Sequence, residues 1–488
     1  MKYLLLFLML VKPLFARDVT IKDAPLEWLI TQTITTQMQE NPELFAQEHL
    51  FKEIFATVKY DADLDELILS SSDKTNALRF QLIDYLEQKT KSKASDPLYK
   101  QWQQESPAPF EVKIISGITP EDGFYVFNHV HTNISQDNQA LKWLKISPKK
   151  TFSIIEGFLQ KRDSTGVVNF CDHDTDRAFD IVSDIDSPNL SALRSIEWGG
   201  KTHMNLVDIK KDWELLSHGR EYGGEESIIM SRSSEGFRII NHPNGRDPAF
   251  PYTSWLDADG IEVWNTVLEN GPYKVVSRFN PSNNRQALKQ WSDSLKTGKR
   301  YTAMAGSDFH FIIPCLRDRT LFYPANYIPV DDSSNVRDNL FSGNVSFLTG
   351  PKSPKLNLRA KFTGDSAWAP MGSNLTGAGD LLVSLEADLS DTNKLLKSAC
   401  YNTINAFYGV LAFWKKRRWE VRFYNLAGEV IAKKELNAKK FKHDDSFSAQ
   451  ITIPISGTDI VRVELWEINK KSESIDLLAA TNPVYLNF

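Results

Sequence analysis

Asn128-His129-Val130-His131-Thr132-Asn133-Ile134-Ser135-Gln136-Asp137 follows directly on the apolar run Phe124-Tyr125-Val126-Phe127. A short apolar run reads as a buried strand. Histidines at i and i+2 of an extended backbone fall on one side of it, where two imidazoles can grip one ion. A lone His-x-His is equally well an ordinary strand-end pair, because neutral imidazole serves both as a metal ligand and as a satisfied core residue. The rest of the chain decides between the two.

Four further apolar runs end in the same kind of residue. Val167-Val168-Asn169-Phe170-Cys171 leads into Asp172-His173-Asp174, and Leu193-Arg194-Ser195-Ile196 into Glu197, with His203 shortly beyond. Phe237-Arg238-Ile239-Ile240 leads into Asn241-His242-Pro243, and Tyr301-Thr302-Ala303-Met304-Ala305 into Gly306-Ser307-Asp308-Phe309-His310. Short apolar runs alternating with helical or loop segments predict β/α units over residues 110–350. In a parallel β/α barrel the carboxyl ends of the strands converge on one face, so residues far apart in sequence share one pocket. Six of the nine histidines lie at these ends (His129, His131, His173, His203, His242 and His310), where surface histidines would be scattered.

The flanking regions read differently. The start, Met1-Lys2 and then Tyr3 to Leu10, has the charged and apolar parts of an export signal with Ala16 as a cleavage residue, which predicts a signal segment over 1–16 and a periplasmic or secreted protein. Lys12 and Pro13 interrupt it short of the roughly 20 apolar residues of a membrane span, and no later stretch reads as transmembrane. Residues 17–109 are predicted helical from the spacing of Leu26, Leu29, Ile30 and Ile34 and of Phe45, Leu50, Phe51, Ile54 and Phe55. Residues 351–488 are predicted as an antiparallel β-sandwich from the alternating runs 381–387, 419–424, 449–454 and 461–466. The run Lys415-Lys416-Arg417-Arg418 reads as a solvated hairpin or strand end before a patch for acidic polymer.

A length of 488 residues suggests roughly three domains at about 150 residues each. A formal net charge of −5 argues against a nucleic-acid binder and for a small substrate. Cys171, Cys315 and Cys400 form no disulfide framework, since at most one pair could close.

In order and type, the motifs His129-Val130-His131-Thr132 with Asp137, Asp172-His173-Asp174, Glu197 with His203-Met204-Asn205, His242-Pro243 and Gly306-Ser307-Asp308-Phe309-His310 resemble those of the polymerase and histidinol phosphatase (PHP) family of metal-dependent phosphoesterases. The resemblance covers about half of the chain, 124–350. It implies an α/β fold, a distorted (β/α)7 PHP barrel, holding two or three divalent ions. His129, His131, Glu197 and Asp308 would form the first site. Glu197 would bridge to a second with His203 and His242, and Asp137, His173 and His310 would form the third. Here Gln136 stands directly after Ser135, where the family often has an acidic residue. The implied activity is hydrolysis of a phosphomonoester or phosphodiester, by a water that the ions held by Glu197, His203, His242 and Asp308 convert to hydroxide.

Mixed imidazole and carboxylate donors suit Zn²⁺, Mn²⁺ or Fe²⁺ without choosing among them. Lys201, Arg177 and Arg246 are candidates for binding substrate anions and equally ordinary surface residues. Asp172 is read as a partner orienting a neighbouring imidazole or as a turn residue, and Cys171 as a small core residue before a ligand. Two other readings keep their place: an ester, amide or carbamate hydrolase on the same centre, and a non-catalytic cell-envelope binding protein.

Overall fold

In the computed structural model the residues described are 19–21, 58–61, 66–69, 97–135, 145–198, 203–211, 229, 231–243, 258–265, 282–310, 321–330, 335–391, 418–437, 445–469 and 474–487. The signal segment 1–16, His49, Asp137, Lys201, His218, Arg246, Cys315, Cys400 and His443 lie outside them, as do Lys415 to Arg417.

The first departure from expectation comes in the amino-terminal region. Strands β1 (Val19–Ile21), β2 (Val58–Asp61) and β3 (Glu66–Leu69) form an antiparallel sheet in the order β1-β3-β2. Val19, Ile21, Val58 and Tyr60 are residue types that favour strands; Leu26, Leu29, Ile30, Ile34, Phe45, Leu50, Phe51, Ile54 and Phe55, whose spacing predicted helices, lie outside the described residues. The described helix of this region is α1 (Pro97–Gln104).

The site region is built on β4 (Lys113–Ser116), β5 (Phe124–Val130), α2 (Pro148–Gln160), β6 (Thr165–Phe170), α3 (Arg177–Val182), β7 (Leu190–Leu193), β8 (Ser195–Trp198), β9 (Met204–Val207), β10 (Phe237–Ile240), β11 (Gly260–Asn265), α4 (Ser282–Leu295), β12 (Thr302–Gly306), β13 (Ala325–Ile328), α5 (Val336–Ser342) and β14 (Ser346–Leu348). It is not a (β/α)7 barrel. The described residues of the whole chain hold five α-helices, too few to alternate with the strands. One residue separates β7 from β8 and five separate β8 from β9. A parallel crossover needs a dozen or more, so β9 runs antiparallel to β8; on its other side β9 also pairs antiparallel with β10.

Two sheets carry the region. One has the order β12-β11-β10-β9-β8; in the other, β5, β6 and β7 run parallel. Backbone hydrogen bonds join them at both ends: Phe309 N–H donates to His129 O (3.2 Å) and His131 N–H to Phe309 O (2.8 Å), while Asp174 N–H donates to Glu197 O (3.1 Å). Alternation along β5 explains the packing. Phe124 and Val126 meet Val167, Val207, Phe237, Ile239 and Met304 in a core between the two sheets. Tyr125 and Phe127 face the other way, against Phe152, Ile155, Phe158 and Leu159 of α2. That helix starts at Ser147, whose hydroxyl caps Lys150 N–H, with Pro148 in the first turn.

The remaining strands are β15 (Lys355–Phe362), β16 (Ala369–Pro370), β17 (Asn374–Leu375), β18 (Gly379–Asp388), β19 (Arg418–Tyr424), β20 (Val430–Asn437), β21 (Ser446–Ile455), β22 (Asp459–Asn469), β23 (Ser474–Thr481) and β24 (Val484–Leu486). Two mainly antiparallel layers enclose a core that includes Leu358, Leu385, Val421, Phe423, Phe447 and Leu465. One layer, β16-β15-β18-β21-β4, takes its last strand from the chain just ahead of β5. The other is continuous with the site: β22, β23, β14, β13 and β5 are successive neighbours in a single sheet. Arg418, from the basic run, opens β19 and pairs with Glu435 on β20. Among the described residues no helix is long and apolar enough to cross a membrane.

Candidate metal centre

The strand ends come together. His129, the last residue but one of β5, has φ 63°, His242 sits at φ 27° and Asp308 at φ 49°. These left-handed conformations are uncommon for non-glycine residues and concentrate at functional sites. Each lies where a strand stops and the chain turns over the inter-sheet core, which aims the side chain into the gap between the sheets.

Glu197 is at the centre. Its Oε1 lies 3.2 Å from His129 Nε2, 2.9 Å from His203 Nδ1 and 3.4 Å from His242 Nε2. Its Oε2 lies 3.3 Å from His131 Nε2 and 3.1 Å from His173 Nε2. Asp308 Oδ1 stands 3.5 Å from His129 Nε2, 3.4 Å from His131 Nε2 and 3.3 Å from His310 Nδ1. His129, His131 and Glu197 are buried, whereas the side chains of His203, His242 and His310 are 31%, 23% and 24% exposed. The cluster therefore has a closed floor and an open rim.

Four sets of donors are spaced closely enough to hold a metal ion: His131-His173-His310, His129-His131-Asp308, His129-Glu197-His242 and His173-Glu197-His203. Their grouping differs from the one the resemblance implied, since His203 falls with His173 and His242 with His129. An imidazole gives its lone pair to one ion, so these sets, which share His129, His131 and His173, fill at most two at a time. The fit to a metal has a direct mark in the protein. His129 Nε2 and His131 Nε2 are buried without a hydrogen-bond partner of acceptable geometry. A buried polar atom left in that state is costly, and an ion is what such a nitrogen can satisfy.

Burial disfavours charge on Glu197, but the imidazoles of His173, His203 and His129 outweigh it and hold the carboxyl well below its usual range. Asp308 is held low in the same way, chiefly by His129 and His131. Conversely, burial would lower His131, yet Asp308 and Glu197 raise it to about 9, and Glu197, Glu262 and Asp308 raise His129. Without metal, His131 is therefore protonated at pH 7, and an ion must displace that proton. Metal uptake at pH 7 is expected to release protons, and affinity to climb about tenfold per pH unit for each proton displaced, up to pH about 9. Calorimetry in two buffers of different ionisation enthalpy measures this; identical heats in both would contradict it.

The other candidates fare unevenly. Arg177 is exposed at the start of α3, where its backbone N–H meets Thr175 Oγ1 at 3.4 Å, and it does not join the cluster. Asp172 grips not an imidazole but Thr132, through the backbone N–H (2.5 Å) and the hydroxyl (2.7 Å), which fixes the turn after His131. Cys171 is buried, and burial pushes its thiol up to about 12, out of use as a ligand near neutral pH.

Three residues of the site escaped the sequence reading. Ser135 Oγ touches His131 Nδ1 (3.3 Å) and accepts from His173 N–H (3.1 Å). Asn241 donates to Glu197 Oε1 (2.9 Å). Glu262 Oε1 meets His129 Nδ1 at 2.9 Å. Only Glu262 left a signal, an acid inside the apolar run Gly260-Ile261-Glu262-Val263-Trp264, where a buried charge needs a reason.

No family model matches the chain, and no curated protein matches it. Among solved structures, the soluble domain of PmoD from Methylocystis sp. ATCC 49242 (Rockwell) is similar at 8% identity over 28% of this chain and 94% of that one. Its TM-score of 0.17 carries no argument about fold or function.

Proposed function

We propose that the protein is an exported metal-dependent phosphoesterase that works with two divalent ions, Zn²⁺, Mn²⁺ or Fe²⁺, and with a third if Asp137 adds a donor. The observation that carries this reading is Glu197, one buried carboxylate whose two oxygens face five imidazoles. An interior built for stability alone would not bury so many polar groups, because well-packed apolar residues of the same volume usually serve stability as well or better. The motif order set out above, resembling that of the PHP phosphoesterases, supports the choice of phosphoryl over carbonyl substrates.

Divalent ions in such a site act as Lewis acids on a phosphoryl oxygen and lower the pKa of bound water from 15.7 toward ~7. The protein's own part follows from its geometry. Glu197, between the two halves of the histidine cluster, can serve donors on both sides with separate oxygens. His129, His131 and Asp308 form a fixed floor, and the rim of His203, His242 and His310 is where a substrate phosphate can enter. Asn241 keeps the Glu197 carboxylate oriented, so the negative charge stays directed at the donors.

The test is a substrate panel. Protein stripped by chelator and reloaded with Mn²⁺ or Zn²⁺ is expected to hydrolyse aryl phosphates, to lose that activity on renewed chelation, and to leave aryl carboxylic esters untouched. Undiminished turnover in the stripped protein, or turnover of the esters alone, overturns the reading.

A further inference from the structure

Outside the histidine cluster the described residues hold polar networks, such as Arg462 with Glu464 and Arg422 with Glu420 and Glu105, and no second group of donors spaced to hold a metal ion. The group at the centre that the motifs leave without a role is Glu262.

Its side chain is buried on β11 and spends both oxygens on the ends of other strands. Oε1 stands 2.9 Å from His129 Nδ1 at the end of β5. Oε2 accepts from the His242 backbone N–H just beyond β10 (2.8 Å) and from Asn265 Nδ2 (2.9 Å). Asn265 donates in turn to Asp308 Oδ2 (3.3 Å), beyond β12. One carboxylate is thus tied to three segments that each carry a donor of the cluster.

Two features of the backbone serve this arrangement. The β11–β12 register shifts between Glu262 and Trp264, and the β5–β6 register shifts between Phe127 and Val130. Such irregularities re-aim side chains and are common beside active sites. Gly306 supplies the space: a Cβ there would stand 1.7 Å from Glu262 Oε1 and 2.8 Å from the His129 Cβ.

A histidine with its Nδ1–H held by a carboxylate presents the lone pair of Nε2, and such partners orient metal-ligating imidazoles. We infer that Glu262 is a positioning residue of the centre: it sets His129 with Nε2 toward Glu197 and Asp308, and it holds the strand ends bearing His242 and Asp308 in register with it. The inference rests on the metal-binding part of the proposed function. Glu262 touches neither substrate nor ion; it acts through its neighbours.

The experiment compares the unsubstituted protein with Glu262→Gln, Glu262→Ala and Gly306→Ala, each stripped of metal and titrated with Co²⁺ while the visible spectrum is recorded. The His129 Nδ1–H proton is followed by NMR, assigned by its absence from His129→Gln. Affinity is expected to fall about tenfold in Glu262→Gln and about a hundredfold in Glu262→Ala, with an altered Co²⁺ spectrum and loss of the downfield Nδ1–H resonance. Gly306→Ala should follow Glu262→Ala. Glu262→Gln keeps the shape of the side chain, so it gives a readout even where alanine leaves too large a void to fold. A Co²⁺ affinity within twofold of the unsubstituted protein, with the same spectrum and the same Nδ1–H resonance in Glu262→Gln, overturns the inference. Failure of the unsubstituted protein to take up Co²⁺ overturns the metal reading instead. The resonance, which needs no ion, then decides for or against the Glu262–His129 contact by itself.

Discussion

Replacing Glu197 with glutamine is expected to cut hydrolysis by about a thousandfold or more and to remove one ion per chain. The rate estimate follows from the several kcal/mol that a polarising ion contributes to the transition state, at 1.36 kcal/mol per tenfold. The ion count follows from the donor sets: without a carboxylate at 197, the two that include Glu197 lose their anion, and the remaining two both need His131. Glutamine keeps the volume, and its oxygen can still accept from Asn241. The backbone of residue 197 stays bonded to Asp172 and Asp174, so the fold should survive. With the carboxylate gone, the imidazoles it raises should also titrate lower. Elemental analysis and aryl phosphate turnover on the same preparation check the outcome. A full complement of metal with a rate within tenfold of the original would refute the central role of Glu197.

The second large effect lies away from the cluster. Phe347 on β14 is fully buried and packs in a core with Ile261, Trp264, Trp291, Trp466 and Ala480. Its strand pairs with β13 on one side and β23 on the other. Phe347→Ala is expected to cost about 3–5 kcal/mol. Because the sheet runs without a break from β22 to β5, the loss should appear as one cooperative transition in which far-UV ellipticity and bound Co²⁺ are lost together. Two separate transitions, with Co²⁺ retained through the first, would show that the site region and the carboxy-terminal layers unfold independently.

The sequence carried the site better than the fold. His129, His131, His173, Glu197, His203, His242, Asp308 and His310 could be picked out because each follows an apolar run, and the end of a buried strand is a place where a polar side chain can be both fixed and reachable. The direction of those strands was not written in the same signal. Ser195–Trp198 and Met204–Val207 are short and wholly buried, and a run of that kind looks alike whether its neighbour is parallel or antiparallel. The five residues between them were the available clue, since they cannot hold a crossover helix. In the amino-terminal region Val19–Ile21, Val58–Asp61 and Glu66–Leu69 pair as strands, because pairing partners decide such short segments, while the residues whose spacing predicted helices, Leu26 to Phe55, lie outside the described residues. Glu262 was missed because it sits in the middle of its run instead of at the end, where a search by strand end does not look.

The left-handed backbone at His129, His242 and Asp308 has a consequence for anyone improving this protein. Residues held in such conformations cost on the order of 1–3 kcal/mol each, so these three positions are among those where glycine or asparagine would relax the chain. A selection for heat resistance alone would tend to drift toward those replacements and yield sturdier proteins without their ions. Libraries screened for thermal tolerance should therefore keep these three codons fixed.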